Sequence, residues 1–567
     1  MLMKSSHHMM FKKQMAYLVI IAWGCLISGP VWAAPQGGVV TSGTATINQS
    51  GHVTNINQAT QKAAINWQSF STRPQETVNF HQPNAAAIAL NRVIGNERSI
   101  LEGALNATGR VFLINSNGIL FAKGSTVNTA GFIASTLNLT DKDFNAGSYV
   151  FKKNNSTGSV INMGTITAKE GGYVALLGPA VSNQGVIAAT KGSVALASGD
   201  KVTLNFNGDS LVNVTVDQGT LNALVENKEA VYADGGKVIL TAKAADDLLG
   251  AQVNNSGIIQ ARTINDLKGS ITLYAHGGTA AIDGTLDASA PITGDGGFIE
   301  TSGDRVKIAD RANITTASAK GANGIWLIDP DGFAITRTGD MTGNTLTNAL
   351  KSGNVTIAST SGKGINGNID IYDPVDWSAN TLTLNATNNI YVYREMNATG
   401  TASFAASYGH LLDANGNPTT MVSGAGNADG TPYGLYTYAG PPDRDNYRTV
   451  FFSRVNFSGS GSVILNGKPY TVINKASDLL NVKDNLDGNY VLGSDIGGLK
   501  DSITGMDAFT GNFNGLGHRI RSSGVTATGL FGTIGANATL SNLGIVESWF
   551  PAAADPSVAV PAVGMLA

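Results

Sequence analysis

The chain has 567 residues, 42% hydrophobic and 14% charged, with 37 basic against 40 acidic residues and a formal net charge of -3. It is long enough to bury a large core, and it lacks the basic surplus that a nucleic-acid binder needs to neutralise phosphates. The charged fraction is well below the roughly 25% of typical globular domains, while 69 glycines accompany abundant Asn, Ser and Thr. Small polar residues form helices poorly but suit turns and the solvent faces of strands, so the composition predicts an all-β fold.

The first predicted element is an export signal, residues 1–33. Lys12 and Lys13 precede the apolar run "MAYLVIIAWGCLIS", Gly29 and Pro30 break it, and Val31 and Ala33 are the small residues before a signal-peptidase cut. The run is shorter than the ~20 residues that span a bilayer. Cys25, the one cysteine, lies inside it; lipidation there is the weaker alternative, because Trp23 fits such a site poorly. The mature chain is therefore free of cysteine. Two explanations stand: a core large enough to need no disulfides, or a chain that must stay unlooped to thread a second membrane.

Next comes a dense apolar region, Asn91 to Thr136, containing "VFLINSNGILFA". Asn117-Gly118 is a tight-turn signal, since both residues tolerate the positive φ that such a turn demands. Runs apolar on both faces, such as Val111-Phe112-Leu113-Ile114, predict strands covered from both sides. The region reads as an N-terminal cap sealing the open end of a stacked fold.

That fold is predicted by internal repeats. "NMGTITAKEGGYVALLG" from Asn162 is echoed by "NQGVIAATKGSVALASG" from Asn183 and by a segment from Asn255, each with Asn-x-Gly, a short strand, a turn and a second strand; "DGGKVILTA" at Asp234 and "DGGFIETSG" at Asp295 add further second strands. A spacing near twenty residues is one coil of a β-solenoid. A sandwich or barrel has no need for Asn-x-Gly at a fixed spacing, whereas a solenoid repeats one corner in every coil and can stack its amides in ladders. The expected fold is a right-handed parallel β-helix with an N-terminal cap.

"INWQSFSTRPQETVNFHQPNAAAIALNRVIG" from Ile65, followed by "GRVFLINSNGILFAKGSTVNTAGFIAST", resembles the secretion domain of the filamentous haemagglutinin family, the exoproteins of two-partner secretion in Gram-negative bacteria. The resemblance covers roughly Val39 to Lys307. The family's Asn-Pro-Asn-Gly turn is Asn115-Ser116-Asn117-Gly118 here, with Ser116 in place of proline and without proline's fixed φ. It implies a β-helix, passage through the periplasm, and a partner outer-membrane pore that recognises the N-terminal region, and it favours the threading explanation for the missing cysteines. Asn91, Asn115, Asn117 and Gly118 are the candidate residues for transporter recognition or for shaping the cap.

Residues 34–324 are thus assigned to the secretion domain and 325–407 to a continuation of the β-helix. "GIWLIDPDGFAIT" resembles the family's usual junction between the two. Residues 408–450 read as an irregular Gly/Pro/Tyr-rich loop or insertion; Tyr433, Tyr436, Tyr438 and Tyr447 are candidates for a ligand surface, against the plainer reading of a loop folded on the rod's flank. Residues 451–567 are β-rich, and Gly529-Leu530-Phe531-Gly532 resembles the Gly-Leu-x-Gly module of large bacterial surface proteins. The tail offers no capping element after Leu543, which raises the expectation of a chain truncated from a longer rod.

For chemistry, Asp370, Asp373 and Asp376 in "DIYDPVD" are the best distal acidic cluster, but Asp beside Pro and Asn is usually a turn former. The seven histidines show no metal-ligand spacing, so no metal and no cofactor are expected. The sequons at Asn106, Asn138, Asn213 and Asn313 are expected by chance in so Asn- and Thr-rich a chain. The resulting expectation is a non-enzymatic, secreted or surface-associated adhesin-like exoprotein. Its partners would be an outer-membrane pore and a host or surface receptor, glycans included. The alternatives are a β-helical polysaccharide-active enzyme and a truncated contact-dependent toxin carrier.

Overall fold

The computed structural model describes residues 34–155, 157–246, 249–360, 367–421, 427, 433–437, 453–499, 506, 508–522 and 530–547. The expected signal at 1–33, Tyr438, Tyr447, Gly529 and the tail after 547 lie outside the described residues. The main body is a parallel β-helix. One wall runs in unbroken parallel register from Lys62–Trp67 through Ile88–Val93, Arg110–Ile114, Ser193–Ser198, Lys237–Lys243, Ile325–Asp329 and Thr381–Ala386 to Val463–Leu465.

Alternation along each strand sends every second residue inward, and parallel register stacks equivalent residues on each other. Val174, Val194, Val238, Ile271, Ile299 and Trp326 form one such column, and Leu176, Leu196, Leu240 and Leu273 form another. All are buried. Each side chain contributes about 1.5–3 kcal/mol by burial, but only when the coils above and below cover it, so a single coil has no stable fold of its own.

The Asn-x-Gly corners have a double cause. Asn162, Asn183, Asn227 and Asn255 are buried, and each Nδ2 donates to the next Oδ1 at 2.8, 2.7 and 2.8 Å. The same Oδ1 atoms accept from the backbone N–H two residues on, at Gly164 and Gly185. The glycine follows from stacking. A Cβ on Gly185 would lie 2.2 Å from the Gly164 carbonyl oxygen, and one on Gly284 would lie 2.0 Å from that of Gly257.

The 44-residue step from Asn183 to Asn227, against 21 for the step before it, holds an excursion that the repeat pattern did not show. Lys201–Asn207 and Ser210–Gln218 form an antiparallel hairpin that pairs with Val150–Lys152 outside the solenoid. With the helix Asp141–Ala146, this outer layer makes a second core around Phe112, Ile114, Ile133, Phe144, Phe151, Tyr173, Val202 and Leu204. It accounts for the doubly apolar run: Val111 and Leu113 face the solenoid core, Phe112 and Ile114 the outer one.

One expectation is corrected. The region from Asn91 to Thr136 is not the cap, because its strands are parallel rungs. Capping falls to upstream antiparallel strands, Val39–Ser42 against Lys62–Trp67 and Ala45–Ser50 against Val53–Gln58. Antiparallel strands end a parallel stack by withdrawing its open hydrogen-bonding edge from further pairing.

Past the junction the rod continues on three walls. Phe333–Ile335, Ile369–Ile371, Ile390–Val392 and Leu435–Thr437 form one, and Val375–Trp377, Met396–Ala398 and Val455–Phe457 another. Within the 408–450 segment, His410–Leu412 and Pro418–Met421 pair as an antiparallel hairpin, and Leu435–Thr437 returns to the stack as a rung. Downstream, Phe509, Phe513 and Phe531 pack in a separate cluster with Leu479, Ile496 and Ile520, which places Leu530-Phe531 of the Gly-Leu-x-Gly segment against that core.

Candidate functional site

The four residues from Asn115 to Gly118 join the strand Arg110–Ile114 to Ile119–Phe121 through one turn. Gly118 N–H donates to the Asn115 carbonyl at 3.1 Å, and Asn115 Oδ1 accepts from Asn117 N–H at 2.9 Å. The turn is therefore an Asx turn nested in a β-turn with Ser116 at the position that proline favours. The expectation of positive φ at both Asn117 and Gly118 is corrected. Only Gly118 adopts it, at φ 113°, because the Asx bond holds Asn117 on the ordinary side of the map.

Asn115 is the anchor. It is fully buried, and its Nδ2 donates to the Glu97 carbonyl and to Ser99 Oγ, both at 3.0 Å, so one amide ties the turn to the preceding loop. Asn117 is exposed and ties the same loop from outside, Nδ2 to the Gly95 carbonyl at 2.9 Å. Asn91 lies elsewhere. It is buried in the wall, where its Oδ1 accepts from Trp67 Nε1 at 2.9 Å and its Nδ2 faces the carbonyls of Ala89 and Phe112. The structure thus brings Asn115, Asn117 and Gly118 together and sets Asn91 apart as a corner amide.

Beside the turn lies a groove of about 270 Å³ lined by Ser116, Asn117, Ile94, Gly95, Asn96 and Arg92, among others. Ile94 is 53% exposed there. Arg92 organises the far rim, reaching Asn66, Asn138, the Leu139 carbonyl and Asp141. Sequence reasoning missed Ile94 and Arg92, which no local pattern marks. It also missed Gly158, where a Cβ would lie 2.4 Å from Gly118 N. The turn is packed so closely on the next coil that only glycine fits below it.

The distal candidates separate. Asp373 Oδ2 accepts from Gly343 N–H at the start of the helix Gly343–Ser352, and Asp376 Oδ1 accepts from Asn397 Nδ2 at 2.6 Å. Asp370 is half-buried on its strand, and burial pushes its carboxyl up to about 6. Tyr436 stacks on Tyr391 with ring centroids 5.6 Å apart, and Tyr372 on Tyr393 at 4.3 Å; these rings form a tyrosine patch of which the sequence pointed only to Tyr436.

A second acidic group, not foreseen, marks the junction. Asp329 lies near Glu300, Asp331 and Asp413, its Oδ1 is buried without a partner, and burial, then these neighbours, push its carboxyl up to about 7. The folded chain then holds the proton more tightly than the unfolded chain, whose carboxyl titrates near 3.8. This contribution to stability is present at low pH and is lost as pH rises toward about 7. Asp329→Asn is expected to raise stability at pH 8 by on the order of 2 kcal/mol while changing little at pH 4. Urea unfolding at the two pH values checks this; an equal shift at both means that ionisation is not the cause.

Comparison with known proteins bears on the N-terminal half. Residues 32–288 match the model of the TPS secretion domain. The chain carries a TPS secretion domain. Such a domain marks secretion across the outer membrane of a Gram-negative bacterium through a partner transporter. A heme/hemopexin-binding protein of Haemophilus influenzae is 30% identical over 326 residues, 55% of this chain and 34% of that protein. A second protein of that description from the same species is 32% identical over 294 residues, 47% of this chain and 31% of the relative. The chain thus matches about a third of the length of these curated relatives. Among solved structures, the HMW1 secretion domain from Haemophilus influenzae aligns with 27% identity and a TM-score of 0.49, covering 67% of this chain and 97% of that one.

Proposed function

We propose that this two-partner exoprotein acts outside the cell as an attachment rod, its N-terminal region read by the partner transporter and its walls presented to a host or surface receptor. The observation that carries the reading is the wall from Lys62–Trp67 to Val463–Leu465, hydrogen-bonded rung to rung beyond the TPS domain. A stack of this kind transmits no slack, so side chains on the distal coils are held at fixed places far from the capped end. The Asn115–Gly118 turn and its groove are the proposed transporter contact.

Attachment is tested with the purified exported chain on cultured epithelial cells and on an uncoated plastic surface. Saturable binding, competed by unlabelled chain, is the expected result; binding to neither surface removes the attachment reading and leaves the export reading standing. A second reading, capture of haem or hemopexin, is favoured by the 30% identity to the Haemophilus influenzae protein named for that binding. It predicts retention of hemopexin on the immobilised chain, or a haem absorbance shift on mixing.

A further inference from the structure

Downstream of the junction a hairpin folds back along the rod. Ser403–Tyr408 takes its place in the wall, and the chain then turns into the antiparallel pair His410–Leu412 and Pro418–Met421. The wall beneath records where the hairpin lies. Leu327, Ala358 and Asn385 alternate with core residues on their strands, so their side chains point outward, yet all three are buried. Gly416 covers them. Its carbonyl accepts from Asn385 Nδ2 at 2.7 Å, and a Cβ on it would lie 2.6 Å from Ala358 Cβ and 3.0 Å from Leu327 Cδ1. The rest of the hairpin holds on lightly, with Leu411 and residues 413–415 and 417–421 exposed. A segment with so few buried contacts opens at low local cost.

The other feature of this contact is its charge. Asp329 also points outward, and the register that pairs Ile328 with Ile357 places it beside Ala358, one rung from the foothold. Its Oδ1 is buried without a partner. The charged groups that act on it are all acidic: Glu300 from the wall, Asp331 from the following turn and Asp413 from the hairpin. Tyr274 faces the same group of carboxylates, Asp304 included. His276, packed against Tyr274, and Lys243, one rung earlier, are the bases on that side. Asp413 brings a settled negative charge, because the N–H groups of Asn417 and Asn415 hold its carboxyl below the usual range.

We infer that the hairpin from His410 to Met421 is a strap whose closure is set by the proton on Asp329, closed over the neutral acid and lifted from the carboxylate. Lifting hydrates Asp329 and carries Asp413 away from it, so ionisation and opening favour each other. With the strap closed, burial and then Glu300, Asp331 and Asp413 raise the Asp329 carboxyl to about 7; in water it returns toward 3.8. Closure therefore takes up a proton, is favoured below about 7 and weakens as pH rises through that value. Burial raises the Glu300 carboxyl as well, which acts in the same direction. An open strap bares Leu327, Ala358 and Asn385, so the rod presents a different face above neutrality than below it.

The test places a thiol under the strap with Ala358→Cys. Cys25, the one cysteine of the chain, lies in the expected signal, so the exported variant carries a single thiol. Its rate of labelling by a maleimide is divided into the rate for the same chain unfolded in urea at the same pH, which removes the titration of the thiol itself. Expected is a protection that falls about tenfold between pH 5 and pH 8, the factor allowed by one pH unit above a value near 7, and that stays at its acid level when Asp329→Asn is added. Ala195→Cys, buried under the outer layer of the TPS domain, should keep its protection at both pH values. Protection at Ala358→Cys that ignores pH, an equal fall with Asp329→Asn, or an equal fall at Ala195→Cys overturns the strap. Hydrogen exchange of amides 410–421, corrected for intrinsic rates, repeats the comparison without a thiol; the same pH response with and without Asp329→Asn overturns it equally.

Discussion

Coexpressed with its partner transporter, the chain carrying Asn117→Val is expected to accumulate outside the cell at no more than a tenth of the amount of a distal control, Thr383→Ala, with the remainder retained or degraded in the periplasm. The physical basis is that Asn117 is the exposed member of the turn. The substitution removes the side-chain bonds from Nδ2 to the Gly95 carbonyl and to Asn115 Oδ1 and leaves the Asx bond intact, because that bond uses the backbone N–H of residue 117. The finished rod should lose only about 1 kcal/mol. Asn91→Ala serves as the contrast. It strips the partner from Trp67 Nε1 in a buried wall and should lower stability and export together. The measurement is the partition between periplasm and medium, with the unfolding midpoint of each purified chain. Equal extracellular amounts of Asn117→Val and Thr383→Ala would falsify recognition at the turn and leave Asn115–Gly118 as a purely architectural corner.

The largest stability effect is expected at the centre of the buried ladder. Asn183→Ala removes the acceptor of Asn162 Nδ2 and of Gly185 N–H and the donor to Asn227 Oδ1, and it takes one donor from each of the carbonyls of Gly185 and Ala230. Orphaned polar groups in a dry interior cost roughly 1–3 kcal/mol each and do not simply add, so a loss of about 4 kcal/mol is expected. Asn128→Ala is the control. Its exposed Nδ2 donates to Asn106 Oδ1 at 3.3 Å, where water replaces the lost bond, and the substitution should cost less than about 0.5 kcal/mol. Because a solenoid opens coil by coil, hydrogen exchange is the better probe. Protection should fall first in the strands around residues 160–260 and much less in Thr381–Ala386 and Ser403–Tyr408. Indistinguishable protection in the two variants would show that the buried amides are interchangeable with solvated ones.

Much of this protein was legible in its sequence because a solenoid is nearly a one-dimensional object. Its repeat is written along the chain: Asn-x-Gly recurs because one corner recurs, the amide bonding to its counterpart one coil away and the glycine making room for that coil's carbonyl. Alternating Val and Leu state which face is inside, and the β-helix follows from stacking. Where contacts run to the neighbouring coil, residue type and spacing are sufficient.

What escaped the sequence depends on contacts that leave the repeat. The hairpin Lys201–Asn207 and Ser210–Gln218 looks like two more alternating strands, and only its packing on Phe112, Phe144 and Tyr173 shows that it lies outside the solenoid. That same layer explains why the region from Asn91 to Thr136 is so apolar, a density that resembled a cap and belongs to rungs covered on both sides. The conformation of Asn117 was likewise decided by a side chain two residues earlier, since an Asx bond and a positive φ are alternative ways of closing such a turn. The sequence by itself determined the coil, its inward faces and its amide ladders, because these arise from neighbours at a fixed spacing. The tertiary structure alone decided which polar rows are buried and which face solvent, because that depends on whether an outer layer happens to cover the wall.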